Sequence, residues 1–273
     1  MQFDSTRIVI RERSFPDIMD LALRVFRTHA GPLLAAFVLG ITPFVVLNQL
    51  LLRGFRDPLH FEAVEHYLLY YLLLAILIVW EMPLATAAAT LFLGQAVFVG
   101  RPQPRQIAGD LVRALPQLLL FQVMIRGLLS ALLVPWLILF GARPFMNEII
   151  LLERTPLRND NPRALSTFQR AKLLHRNLEG WIVGRWIASV FMGTILWGSL
   201  LGSLWGLGFF LFHILYWEAS VQPLVVELVT WTVIAFFTVV RFLGYLDLRI
   251  RREGWEVELL LRAEGARLAR QIP

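Results

Sequence analysis

The sequence predicts an all-α polytopic membrane protein: a bundle of about six transmembrane helices, arranged as three hairpins with cytoplasmic amphipathic helices. Of the 273 residues 57% are hydrophobic and 17% charged, whereas soluble domains carry about 25% charged residues. The mean hydropathy is +0.62. The apolar residues also form long blocks that reach the roughly 20 residues needed to cross a bilayer.

We expect a membrane domain over residues 31–243, with a cytoplasmic tail and interfacial helix before it (1–30) and a cytoplasmic amphipathic tail after it (244–273). The first long apolar block begins at Ala30, which is too late for a cleavable secretory signal. The predicted spans are 31–52, 67–93, 116–133, 136–153, 181–208 and 221–243.

Positive charge decides the number of spans. The apolar block 116–152 is either one overlong helix or a hairpin that turns near Pro135. The hairpin places 20 of the Lys and Arg residues on one side and leaves only Arg53 and Arg56 on the other. Because positive loops stay cytoplasmic, we predict six spans in the bacterial inner membrane with both termini in the cytoplasm. A re-entrant hairpin would return the chain to the same side of the membrane, so it remains an alternative to two full spans.

Amphipathic basic segments precede the three hairpins, at Ser14–His29, Pro104–Leu115 and Pro162–Asn177. In the first, Ser14 and Asp17 have the spacing of a capping box. Their arginines predict contact with the bilayer and with anionic lipid headgroups at the cytoplasmic face. We expect no nucleic-acid partner, since no basic groove with interleaved aromatic residues lies outside the spans.

Six acidic or basic residues fall within the predicted spans and away from their ends, where charge is costly unless it is matched or hydrated. Helical rise places them at three common depths and therefore suggests three ion pairs. The predicted pairs are Glu81 with Arg126, Arg143 with Glu227, and Glu148 with Arg185. These pairs could form a polar pathway or could fix the order of the helices. The second interpretation is favoured, because complete pairing leaves no lone acid as a carrier.

Small residues recur every four positions at Gly198, Gly202 and Gly206. Such a face lets another helix approach closely. The partner is either an internal helix, which we favour, or a second protomer or other membrane protein. In the tail, Asp247 and Arg251 are spaced as an i, i+4 ion pair.

No catalytic, cofactor-binding or metal-binding motif is expected. The chain has no cysteine, and it contains no Gly-rich phosphate loop and no G-x-S-x-G or H-E-x-x-H sequence. Glu62 and His66 share a helical face within His60–His66, but no third histidine follows at ligand spacing. Solvated groups are the favoured interpretation of this segment.

Three motifs resemble a known family. Arg-Glu-Arg-Ser-Phe-Pro-Asp-Ile-Met-Asp-Leu-Ala-Leu-Arg24, Glu148-Ile-Ile-Leu-Leu-Glu153 and Tyr245-Leu-Asp-Leu-Arg-Ile-Arg-Arg-Glu-Gly254 are similar to bacterial six-span membrane proteins related to the membrane domain of glycerophosphoryl diester phosphodiesterases. The resemblance implies an all-helical membrane domain. It implies no activity, because the phosphodiesterase catalytic domain is absent from these residues.

The sequence therefore suggests a non-enzymatic integral inner-membrane protein, a scaffold or accessory subunit of an envelope or transport system. The alternative is a transporter or lipid-translocating protein with an intramembrane polar path. A membrane metallohydrolase at His60–His66 is the weakest of the three hypotheses.

Overall fold

The computed structural model describes residues 13–55, 63–98, 102–125, 145–156, 165–176, 178–213 and 221–253. These ranges contain helices and no strands, which confirms the all-α prediction. The helices are α1 Phe15–Thr28, α2 Ala30–Leu51, α3 Ala63–Ala85, α4 Ala87–Phe98, α5 Pro104–Leu118, α6 Met146–Glu148, α7 Thr167–His175, α8 Glu179–Phe212 and α9 Val221–Glu253. π-Helical turns at Leu119–Ile125 and Ile149–Glu153 continue α5 and α6, and a 3₁₀ turn covers Arg53–Phe55.

Five segments of the described chain are long and apolar enough to cross a membrane, which confirms its multi-pass character. They are Ala30–Leu51, Tyr67–Val97, Pro104–Met124, Gly180–Leu211 and Val221–Arg252. The third begins at Pro104, so the predicted amphipathic segment and the start of the next span form one continuous helix. The predicted turn near Pro135 lies outside the described residues, and the six-span topology therefore stays a prediction.

Helix α1 begins with the predicted capping box. The Ser14 side chain accepts from the Asp17 amide, and the Asp17 side chain accepts from the Ser14 amide at 3.1 Å. Ile18 and Ala22 on the apolar face of this helix are buried, and they belong to the same hydrophobic cluster as Tyr245 of α9. The apolar stripe that predicted an interfacial helix thus packs against another helix of the protein.

Helices α3 and α4 are separated by a break at Thr86, three residues after Pro83. A backbone carbonyl without a partner is costly inside a membrane. The Asn147 side chain supplies a hydrogen-bond donor at the break, because its Nδ2 donates to the Pro83 carbonyl at 3.0 Å. Next to the break, α2 approaches so closely that a Cβ on Gly40 would lie 2.1 Å from the Ala85 carbonyl oxygen. Only glycine fits there without a shift of the backbone.

Helix α9 is central to the described bundle and α8 is peripheral. In the most apolar part of each span, 44% of the α9 residues are buried but only 6% of the α8 residues. α9 contacts α1, α2, α4, α7 and α8. Its 33 residues extend over about 50 Å at 1.5 Å per residue, which exceeds the roughly 30 Å hydrocarbon core. One end of this helix therefore projects from the apolar layer.

Candidate functional site: a buried carboxylate pair

Two acidic side chains from different helices meet at one amide group. Asn48 of α2 donates through Nδ2 to Glu81 Oε2 of α3 at 2.9 Å and to Glu227 Oε1 of α9 at 2.9 Å. The amide nitrogen carries two hydrogens, so it can serve both carboxyl groups at once. The contact joins three of the candidate spans at a single point.

All three side chains lie in the interior of the bundle. Asn48 and Glu227 are fully buried, and Glu81 is 7% exposed. Ile78, one helical turn before Glu81, and Trp231, one turn after Glu227, belong to an apolar cluster packed between the same helices. Since an ionised carboxylate in such surroundings is costly, two of them side by side require compensation.

The hydrogen bonds around the two acids differ. Glu227 also accepts from Gln49, whose Nε2 lies 2.5 Å from Oε2. Glu227 thus accepts from two amide groups, and Glu81 from the Asn48 amide. The Asn48 Oδ1 atom is buried and has no hydrogen-bond partner among the described residues. Carboxyl and amide oxygens gathered in this way can hold a proton or a small cation.

The arginines predicted to neutralise these acids, Arg126 and Arg143, lie outside the described residues, so both pairs stay predictions. The sequence placed Glu81 near the membrane midplane and Glu227 closer to the outer face. The shared contact with Asn48 was missed. Asn48 and Gln49 are adjacent polar residues in an otherwise apolar span, and this was the available signal.

The predicted pair of Glu148 with Arg185 is wrong. Glu148 is fully buried, and its Oε1 accepts from Arg241 Nε at 2.6 Å. Arg185 Nη1 instead contacts Asp247 Oδ2 at 2.9 Å. Equal depth suggested the original pair, but depth does not determine which helices are neighbours. The central α9 carries both true partners.

Asp247 forms a charged cluster near one end of α9. Its carboxylate accepts from the Arg13 backbone amide at 2.8 Å and from Arg251 Nε at 3.1 Å, in addition to Arg185. The contact with Arg251 confirms the predicted i, i+4 pair. Trp181 adds a ring face 4.1 Å from the Arg185 guanidinium carbon. This acid is therefore surrounded by cationic groups.

Glu153 occupies a similar position beside the same part of α9. Both of its carboxylate oxygens contact Arg170, with Oε1 3.1 Å from Nη2, and Oε1 accepts from the Tyr245 hydroxyl at 2.6 Å. Arg249 Nε lies 3.8 Å from Oε1. Like Asp247, this acid faces more than one arginine.

The glycine face of α8 has no internal partner within the described part of the chain. A Cβ placed on Gly198, Gly202 or Gly206 would meet nothing within 4 Å. The preferred expectation of an internal helix against this face stays a prediction. A partner outside the chain stays a prediction.

No group of three or more His, Cys, Asp or Glu residues that could hold a metal ion occurs among the described residues. The segment His60–His66, considered above as a weak metal-binding candidate, lies outside the residues whose side chains are described.

Comparison with known proteins gives no match: no family model, curated protein or solved structure is significantly similar to the chain. The resemblance to the membrane domain of glycerophosphoryl diester phosphodiesterases thus stays a prediction, and function has to be argued from the residues themselves.

Proposed function

We propose that this chain is a multi-span membrane transporter in which Glu81 and Glu227 together bind one positive charge, a proton in the simplest case. The observation that supports this most directly is the single Asn48 amide that bridges the two carboxyl groups at 2.9 Å each. The proposal replaces the structural interpretation of these acids with the transport alternative. An acid pair can take up and release a proton, whereas a fixed acid–arginine pair cannot do so readily.

The two carboxyl groups of the pair are coupled electrostatically. Two carboxylates that share one amide repel each other strongly where water is excluded. One added proton removes a charge and converts the pair into a carboxyl–carboxylate site.

Glu81 and Glu227 have different roles in this proposal. Hydrogen bonds donated to a carboxylate favour its charged form. Glu227 accepts from both Asn48 and Gln49, so it is the better stabilised anion. Glu81 is consequently the group that we expect to take up and release the proton.

Irregular points in two helices lie close to the acid pair and could allow the helices to move. Glu81 lies five residues before the helix break at Thr86, and Asn48 lies five residues after Pro43 within α2. Interrupted helices beside a buried polar site are typical of secondary transporters, where they allow access to alternate. The break supplies a point at which the Glu81 half of the span can move relative to α4.

The test is proton binding and proton flux in the reconstituted full chain. Infrared difference spectra between acidic and alkaline buffer should contain a protonated carboxyl band that is lost in Glu81→Gln. In vesicles with an internal pH dye, a pH gradient should drive proton entry through the wild type and not through Glu81→Gln. Asp20→Asn is the matched control, because Asp20 is exposed on α1 and pairs with Arg24. A carboxyl band and a flux that both survive Glu81→Gln would contradict the proposal.

A second function, accessory subunit of a membrane assembly, is supported by the open glycine face of α8. Ser199 and Ser203 flank this face and are exposed. Because the chain has no cysteine, Ser203→Cys introduces a unique thiol for disulfide crosslinking in native membranes. A crosslinked product at Ser203→Cys, and none at Val38→Cys on the exposed face of α2, is the result expected. Equal crosslinking at both positions would count against an interface on α8.

A further inference from the structure

A cavity of about 270 Å³ lies between α1, α8 and α9. Its wall is mainly apolar and includes Ile18, Ile182, Val190 and Phe237. Cavities of about 150 Å³ already bind benzene, so this one has room for a longer aliphatic segment. Val190 is 49% exposed, which shows that the wall reaches the outer surface of α8.

The polar groups of the cavity are concentrated at one end. Arg185 and Arg241 both line it, and they lie within four residues of the predicted membrane boundary of their spans. Val233 and Ile234 line the opposite, deeper part, about 12 Å from Arg241 along α9. The cavity is therefore amphipathic, with two ion-paired arginines at headgroup depth and an apolar region beyond them.

One donor in this cavity lacks an acceptor. The Nη2 atom of Arg241 is buried and has no hydrogen-bond partner within the described ranges, although Nε contacts Glu148, whose Oε2 atom is likewise buried without a partner there. The two hydroxyls that line the cavity donate to backbone carbonyls, Ser189 to Arg185 and Thr238 to Ile234, and neither accepts from Nη2. A buried guanidinium nitrogen without an acceptor is costly, and an anionic oxygen would remove that cost.

We propose that this cavity binds an anionic phospholipid of the surrounding bilayer, with one acyl chain among α1, α8 and α9 and a phosphate oxygen at Arg241 Nη2. The Arg185 side chain adds positive charge at the same end. Charge complementarity and the matching depth of the arginines favour a phospholipid. Water does not fit the apolar part of the cavity, because a buried water needs two to four polar partners.

The experiment is lipid retention by the full chain. The protein is reconstituted in nanodiscs of phosphatidylglycerol or phosphatidylcholine, or with added oleate, then released into mild detergent and examined by native mass spectrometry. The wild type should retain phosphatidylglycerol in preference to phosphatidylcholine and oleate. Val190→Trp, which fills the cavity, should reduce retention about tenfold, equivalent to 1.4 kcal/mol. Val38→Trp, on a lipid-facing surface away from the cavity, should retain as much as the wild type.

A second variant tests the headgroup contact without breaking the buried ion pair. Arg241→Lys keeps a positive charge beside Glu148 but removes the planar second donor. We expect it to lose the preference for phosphatidylglycerol while it still folds, as monitored by its elution as a single species. Equal retention in Val190→Trp and Val38→Trp would overturn the site. Preference for oleate or phosphatidylcholine in the wild type would overturn the choice of ligand.

Discussion

The acids near the two halves of α9 have opposite surroundings. Asp247, Glu153 and Glu148 each contact at least one arginine, and Asp247 contacts two arginine side chains. Glu81 and Glu227 instead share the amide of Asn48. The first arrangement pairs each acid with an opposite charge, and therefore suits a structural role. The second places two acids at one amide group, and it is the arrangement that we propose for binding a positive charge. Conservative changes to the acids of each group measure this difference.

The largest effect is expected for Glu148→Gln. It leaves the Arg241 guanidinium in the interior without its counter-charge, and breaking a buried ion pair costs about 3–5 kcal/mol. Chemical unfolding in mixed micelles measures the loss. The double variant Glu148→Gln/Arg241→Gln should lose less than the two single variants together, since it removes both charges. Strictly additive losses would show that the two side chains are not coupled.

Asp247→Asn should have the next largest effect. The amide can still accept hydrogen bonds, but it no longer offers a negative charge to Arg185 and Arg251. Hydrogen bonds to charged groups contribute about 1.5–3 kcal/mol, and we expect a loss of this order in the free energy of unfolding. The exposed Asp20→Asn should change little. Similar losses for the two variants would mean that the Asp247 cluster has no special role in stability.

Gly40→Ala tests the helix contact that positions Asn48 beside Glu81. The added methyl would lie 2.1 Å from the Ala85 carbonyl oxygen, so α2 must move away. Overpacking of this kind costs about 1–3 kcal/mol, and the protonated carboxyl band should also shift. In contrast, Gly198→Ala faces open space and should stabilise the helix by up to about 1 kcal/mol. Equal losses in the free energy of unfolding for Gly40→Ala and Gly198→Ala would show that the two glycines do not differ in packing.

Glu81→Gln should have the smallest effect on stability, although it abolishes proton binding. The amide oxygen can still accept from Asn48, and one of two repelling charges is removed, so the free energy of unfolding should change by less than about 1 kcal/mol. The same unfolding assay as for Glu148→Gln provides the comparison. If Glu81→Gln destabilises the protein as much as Glu148→Gln does, the two groups of acids do not differ as proposed.

The fold class followed from composition and hydropathy, because long apolar blocks permit few structures other than membrane helices. Local signals were also sufficient for the Ser14–Asp17 capping box and for the Asp247–Arg251 pair, since both depend on spacing within one helix. These features need no knowledge of which helices are neighbours.

The contacts between helices could not be predicted in the same way. Similar depth in the membrane was the reason to pair Glu148 with Arg185. In the structure both residues instead contact α9, which carries their partners Arg241 and Asp247. The cavity beside Arg241 was also beyond prediction, because it depends on how three helices diverge. The arginine is visible in the sequence, but its partnerless Nη2 is visible only in the structure.

The length of α9 has a mechanical consequence. Glu227 and Asp247 are carried by one uninterrupted helix, 20 residues and so about 30 Å apart. A continuous helix that moves as a rigid body cannot rotate or slide at one end alone. Any rigid displacement of α9 that separates Glu227 from Asn48 must also carry Asp247 past Arg13. Release of a charge at Glu227 would thereby move Asp247 as well, with no relay of intermediate side chains.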